Sequence, residues 1–278
     1  MAPVPHRREW RARPNSPDLV MRVGVDRQFW RCCRIAKISD GARGLTSAPK
    51  TAMLDAMSYP GGKRGSGIYQ KIINLMPPHE VYIEPFLGGG AVWDMKQRAK
   101  LNIGLDLSAA AIVGYEVSAG IIVKQGDGIA FLENYDFRGG ELVYCDPPYL
   151  MSTRSGKRLY EFEMDDRQHR RLLRWCIEAK NSCSIMISGY ASRMYAEALA
   201  GWNSIEFESM TRGGYPKMER LWFNFEKPTA LHDYRYLGRN FRERERIKRM
   251  KQRWTARLDR MPILQRQALL SAIADRRF

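Results

Sequence analysis

Between Tyr59 and Phe225 the chain alternates short apolar runs with stretches of helical period, and this alternation decides its fold class. Seven runs read as strands: Val81–Phe86, Leu101–Asp106, Ile121–Lys124, Leu142–Asp146, Cys183–Ser188, Ser204–Met210 and Leu221–Phe225. Helical periods lie at Ile68–Met76, Ala91–Arg98, Ser108–Val117, Asp165–Lys180 and Ser192–Ala200. Short apolar strands separated by helices predict an α/β fold, a sheet covered by helices on both faces. In such sheets ligands sit at the carboxyl ends of the strands, so the strand ends are where chemistry is to be sought.

Composition narrows the class further. With 44% apolar residues and seven Trp among 278, the chain can build an ordinary core, which excludes a wholly disordered protein. No run approaches eighteen apolar residues, so no membrane helix is expected. The opening MAPVPHRREWRARP has no apolar core of a signal peptide, and a cytoplasmic protein is expected. Cys32, Cys33, Cys145, Cys176 and Cys183 form no CxxC, and His6, His79, His169 and His232 are far apart. Neither a disulfide framework nor a metal site is expected.

The net charge of +16 is concentrated at the ends. Residues 1–57 hold 11 Lys and Arg against 5 Asp and Glu, and residues 229–278 hold 14 against 5. The 171 residues between are nearly neutral, with 21 against 20. Basic ends on a neutral body fit a polyanionic partner, most simply nucleic acid. Three regions follow. Residues 1–57, rich in Arg, Pro, Ala and Ser, read as a loosely ordered extension. Residues 58–228, which hold the strand–helix alternation, read as one folded domain. Residues 229–278 read as a basic helical hairpin: 234–256 carries a thin apolar stripe on a charged helix, and Pro262–Asp275 starts with Pro as helices often do.

Four strand ends carry candidate chemistry. Glu84-Pro85-Phe86-Leu87-Gly88-Gly89-Gly90 is a glycine loop between a strand and a helix, where backbone can approach a nucleotide-like ligand; it does not match GxGxxG. Asp106 ends the next strand, about 20 residues on, where a carboxylate accepts from ribose hydroxyls or caps the next helix. Asp127, in Gly126-Asp127-Gly128, ends the third strand as a ligand group or a turn residue. Asp146-Pro147-Pro148-Tyr149 ends the fourth. Two consecutive prolines stop a strand abruptly and fix the backbone, leaving acceptors without donors of their own. Such an acceptor pocket suits an exocyclic amine, and Tyr149 offers a face on which a base can stack. Aiming an amine lone pair at an electrophilic methyl is catalysis by positioning and needs no metal.

With these motifs in order, the chain resembles the Dam-like, alpha-group N6-adenine-specific DNA methyltransferases in their short phage-type form. The resemblance covers about residues 58–228 and rests on Tyr59-Pro60-Gly61-Gly62-Lys63, Glu84–Gly90, Asp146–Tyr149, Ile185–Tyr190 and Glu219–Phe225. It implies a Rossmann-like S-adenosylmethionine-dependent methyltransferase sheet acting on double-stranded DNA. Tyr59, Lys63, Glu84, Phe86, Gly88, Gly90, Asp106, Asp127 and Asp146 would hold or balance the cofactor. Asp146, Pro147 and Tyr149 would carry catalysis on an adenine flipped out of the stack. Only 40 residues separate Asp106 from Asp146, so the recognition insert of longer members is absent. Arg154, Lys157, Arg158, Arg212 and Lys217, on two loops, are then expected to contact DNA, together with the basic hairpin. A homodimer gripping the site is a further expectation. The competing readings are an RNA methyltransferase with the same cofactor, an N4-cytosine enzyme, which usually has Ser in place of Asp146, and an inactive DNA-binding protein.

Overall fold

The computed structural model describes residues 63–65, 67–154, 158–210 and 215–276. Tyr59, Lys157, Arg212, Cys32, Cys33, His6 and the extension 1–57 lie outside the described residues.

The chain runs α1 (Ile68–Ile73), β1 (Val81–Glu84), α2 (Ala91–Met95), β2 (Leu101–Asp106), α3 (Ala109–Ile112), β3 (Ile121–Gln125), α4 (Gly128–Asn134) and β4 (Glu141–Cys145). It continues as a 3-10 turn at Met151–Thr153, α5 (Asp166–Ala179), β5 (Ser184–Gly189), α6 (Arg193–Ala198), β6 (Asn203–Met210), β7 (Pro216–Phe223), α7 (Phe241–Asp259) and α8 (Ile263–Ala274). One seven-stranded sheet has the order β3-β2-β1-β4-β5-β7-β6. The first five strands are parallel, and β7 pairs antiparallel with both β5 and β6. This is the α/β, Rossmann-like sheet expected from the sequence. Its order reverses between β1 and β4, which makes their carboxyl ends the switch point where such sheets open a crevice.

Alternation along the strands divides the core in two. Ile83, Ile103, Val143, Cys145, Ile185 and Ile187 face one side and pack with α4, α5 and α6. Tyr82, Leu142, Tyr144, Met186, Leu221 and Phe223 face the other and pack with α1 and α2. Because both faces are covered, the central strands read as unbroken apolar runs. Helix α5 shows the local logic. Asp165 accepts from the Gln168 backbone N–H at 2.7 Å, Gln168 returns the bond, and Leu172, Leu173, Trp175, Cys176 and Ala179 form the buried stripe.

Several expected boundaries change for visible reasons. Helix α2 stops at Met95 because Lys96 turns extended, placing its ammonium 4.1 Å from the Tyr82 ring centre. Helix α3 ends at Ile112, followed by an extended Val113 and by Gly114 with φ 82°. Helix α4 was absent from the sequence reading; the Asp127 side chain caps it by accepting from Ile129 N and Ala130 N. Strand β7 begins at Pro216, five residues before expected, since it pairs with β6 along its whole length.

Residues 229–240 form a strap on the core instead of helix. His232 N–H donates to Met76 O at 3.0 Å, the Tyr236 hydroxyl donates to Met95 O at 3.1 Å, and Asn74 Nδ2 donates to Tyr236 O at 2.7 Å. Buried Asp233 accepts from Gln97 N–H at 2.9 Å and pairs with Arg235. Burial alone would raise its pKa; the Arg235 guanidinium and these donors hold it below the ordinary range. The imidazoles of His79 and His232 stack 3.8 Å apart. Only at Asn240, whose side chain accepts from Glu243 N–H, does α7 begin. Neither α7 nor α8 contains a buried residue.

Among the described residues no helix is long and apolar enough to cross a membrane, and no group of three His, Cys, Asp or Glu could hold a metal. Cys145, Cys176 and Cys183 are buried free thiols, and burial pushes their pKa values up.

Candidate active site

The carboxyl ends of β1, β2, β3 and β4 open into one cleft. Its walls include Lys63, Glu84, Phe86, Gly88–Gly90, Asp106, Asp127, Asp146 and Tyr160, with Ile129, Phe162 and Met164 as apolar lining. The cleft is open to solvent at its mouth. The structure therefore brings together Lys63, Glu84, Phe86, Gly88, Gly90, Asp106, Asp127 and Asp146, which lie up to 83 positions apart in sequence.

Glycine is required where the loop is tightest. Gly90 has φ 60°, and a Cβ there would fall 1.9 Å from the Tyr115 hydroxyl. A Cβ on Gly128 would meet Pro85 O at 2.1 Å, so that glycine lets the β1 and β3 ends close on each other. Asp106 fixes the loop from beneath. Its Oδ2 accepts from Gly88 N–H at 2.7 Å and its Oδ1 from Ser108 N–H at 2.8 Å. Burial raises its pKa despite these donors. The Ser108 side chain does not cap α3; it donates to Glu161 at 2.6 Å. Asp127 stands as the cap of α4, and its second oxygen meets Arg171 at 3.2 Å.

Behind the cleft floor lies a buried charge network. Lys63, at the turn before α1, donates from Nζ to the Tyr149 hydroxyl at 2.7 Å and pairs with Asp146 at 3.0 Å and Glu219 at 3.3 Å. The Tyr149 hydroxyl lies 3.1 Å from Asp146 Oδ1 and 2.9 Å from Glu219 Oε2, and its single proton serves one of them at a time. Burial lowers the Lys63 pKa, but the Asp146 and Glu219 carboxylates outweigh it and hold the ammonium above its ordinary range. Burial raises Asp146, partly offset by Lys63. Glu84, buried and accepting from the Tyr82 hydroxyl at 2.8 Å, has its pKa pushed well up by burial. Glu219 was not among the residues expected here. It opens the Glu219–Phe225 segment, but only its register on β7, opposite Phe207 of β6, shows that it reaches the site.

Tyr149 is 5% exposed, with its ring edge-on to Tyr190 at 4.6 Å and under Lys63 Nζ at 4.9 Å. Pro147 lies outside the residues that line the cleft, whereas Pro148 lines it. Of the described loop cations, Arg158 is exposed. Arg154 turns inward: its side chain is 5% exposed, it meets Glu163 at 3.2 Å through Nη1, and it lies over the Tyr160 ring. Glu163 also accepts from Leu159 and Tyr160 N–H, so this pair pins the loop over the cleft. Lys217 donates to Thr153 O and sits 3.9 Å from the centre of the Tyr190 ring.

Solved structures with a similar course include precorrin 8w decarboxylase of Methanobacterium thermoautotrophicum, at 13% identity and TM-score 0.39, covering 60% of this chain and 94% of that one. An rRNA methylase from Streptococcus thermophilus gives 10% identity and TM-score 0.35, with 66% of this chain and 100% of that one covered. The tRNA (uracil-54, C5)-methyltransferase of Pyrococcus abyssi, solved with S-adenosyl-L-homocysteine, gives 12% and 0.35, with 56% and 37% covered. No curated protein matches the chain. Residues 118–212, which include Asp146–Tyr149 and run from the approach to β3 to the end of β6, match the family model of the D12 class N6 adenine-specific DNA methyltransferases.

Proposed function

We propose that this protein transfers a methyl group from S-adenosylmethionine to the N6 amine of an adenine flipped out of duplex DNA. The observation that carries the reading is the Asp146 carboxylate. It stands just past β4 at the cleft, beside two prolines, and already accepts from a nitrogen donor, Lys63 Nζ, at 3.0 Å. A carboxylate so placed takes an N–H of the target amine and stabilises the positive charge that develops on nitrogen as the new bond forms. Pro147 and Pro148 hold it there without motion. Tyr149 would stack on the flipped base, which requires its ring to be released from Tyr190 and Lys63.

The cleft fits the cofactor. Its glycine wall leaves no room for side chains, as the Gly90 and Gly128 contacts demand. Asp106 spends one lone pair per oxygen on backbone N–H groups and keeps others for ribose hydroxyls. Asp127 would meet the adenine amine of the cofactor from its edge, and Phe86 with Lys63 would border the methionine part. When bound, S-adenosylmethionine supplies an electrophilic methyl on a sulfonium cation. That cation would favour the ionised form of Glu84, whose carboxyl burial otherwise holds toward the neutral acid, and Asp146 would share its charge between the cation and Lys63. On the DNA side the reading retains Arg158, Lys157, Arg212 and Lys217 as contacts, with Arg154 supporting the loop that presents them.

The test is transfer of labelled methyl from S-adenosylmethionine to duplex DNA, with ribosomal RNA alongside and digestion to nucleosides. N6-methyladenine in DNA is the expected product. Label in RNA alone would replace DNA by RNA as substrate, and label in neither would overturn the reading.

A further inference from the structure

Helix α7 spans nineteen residues with eight Lys and Arg against three Asp and Glu, and none of its residues is buried. Four of its arginines, Arg242, Arg246, Arg249 and Arg253, recur at steps of four, three and four, which places them on one helix face. They line a shallow groove with Phe241 and Glu245. Arg246 reaches Glu243 only at 3.9 Å, and Arg242, Arg249 and Arg253 have no carboxylate partner among the described residues. Elsewhere Arg64, Arg138, Arg171, Arg193 and Arg220 each hold a carboxylate, and the described arginines that do not are not arrayed in such a row of four. A row of like charges on a face with no packing partner opposes the helix that carries it, and an anionic partner would turn that repulsion into binding.

We propose that this arginine face is a phosphate track for duplex DNA, an inference that rests on DNA being the substrate. Arg242 to Arg253 spans about 16 Å of helix. One DNA strand presents a charge about every 3.4 Å of axis, so four guanidiniums match four or five phosphates of one strand. Arginine suits the task because its planar fork takes phosphate oxygens in pairs. The opposite side of α7 anchors the helix to the sheet domain, which leaves the arginine row facing outward. Arg244, in the first turn of α7, packs against Gly67, where an added Cβ would lie 3.2 Å from its Nη2, and Gly67 is the cap of α1, four residues past Lys63.

The test compares the full chain with the variant R242Q/R246Q/R249Q/R253Q and with the charge-keeping R242K/R246K/R249K/R253K. Binding to a labelled DNA duplex and to an RNA hairpin is measured from 50 to 200 mM salt, with methyl transfer to DNA followed separately. For the Gln variant, the log–log salt slope on duplex DNA is expected to shrink by about 3 to 4, sparing it roughly a hundredfold of the affinity that the wild type loses across that range. The Lys variant should keep most of the slope, and the Gln variant should keep its turnover at saturating DNA while its KM for DNA rises. An unchanged duplex slope in the Gln variant, or a slope change confined to RNA, overturns the track. If the slope shrinks on duplex DNA while neither protein methylates it, the track stands and the catalytic reading falls; methylation with an unchanged slope gives the reverse.

Discussion

The ammonium of Lys63 donates to the Tyr149 hydroxyl at 2.7 Å, and the same nitrogen stands 3.0 Å from Asp146. The acceptors proposed for a substrate amine are thus answered by a cation of the protein's own. Lys63→Met should remove the charge that offsets burial at Asp146, so the pKa of that carboxyl should go up. Because Asp146 acts as a carboxylate, activity is lost as pH falls through its pKa. The acid limb of the rate profile should therefore move to higher pH. An unmoved limb would separate Asp146 from the rate-controlling ionisation.

Asp146→Ala removes the carboxylate proposed to accept from the target amine and leaves its neighbours. Transfer should fall by about 10²–10³ or more, with affinity for DNA nearly intact because that affinity is mostly phosphate contact. Steady-state transfer and a binding titration check the two parts. Near wild-type turnover would dismiss Asp146 from the chemistry.

Glu219→Gln keeps the shape of the β7 side chain and removes its charge. Tyr149 and Lys63 would lose one of their two carboxylates, so the tyrosine should be held less firmly. A drop of about tenfold in kcat is expected, in the range of a positioned hydrogen bond to a charged group, with KM for S-adenosylmethionine unchanged. A rise in that KM with kcat preserved would instead put Glu219 in cofactor binding.

Gly90→Ala forces a Cβ onto a backbone at φ 60°, with the Tyr115 hydroxyl 1.9 Å away. The conformation alone costs about 1–2 kcal/mol, and the clash displaces the loop that borders the cofactor cleft. Thermal melting should show the loss, and S-adenosylmethionine should bind at least tenfold more weakly. Unchanged cofactor affinity by calorimetry would remove the loop from the binding site.

Acid should loosen the molecule by a route independent of catalysis. Burial pushes His79 down to about 3 and His169 down to about 4, against 6.5 for a free histidine. The unfolded chain gains protons below 6.5 that the folded chain refuses. Stability is therefore full above pH 6.5 and declines as pH falls from there toward 4 and 3. Each histidine contributes at most about 1.4 kcal/mol per pH unit. His79→Phe, which keeps a ring to stack on His232, should flatten part of the decline in Tm between pH 6.5 and 5, a window below the free-histidine value. The same slope in both proteins would count against it.

Much of the fold was written in local pattern. Strand β2 occupies the residues expected, because Leu101, Ile103 and Leu105 alternate at the period of a strand. The DPPY segment announces its own turn, because proline acts on the backbone wherever it stands. What the sequence hid was set by distance. Asp127 reads alike as a ligand group or a cap until the helix it caps exists. Arg154 reads as an exposed loop cation until Glu163, nine residues away, takes it inward. Glu219 enters the site through the pairing of β6 with β7, and no neighbour in sequence signals that pairing. Residues 234–240 carry the charge of the helix that follows, but Gly238, at φ 137°, and the cap at Asn240 hold them off as a strap.

The strap fastens largely to carbonyl oxygens, those of Met76, Met95 and Gln97. A carbonyl is the same whatever side chain it belongs to. The core beneath can therefore drift through many substitutions without losing the fastening, and the arm can change its charge without disturbing the core. The helical arm and the sheet are thus joined mainly through backbone, with Asn74 and His79 as the side chains beneath that the strap still needs.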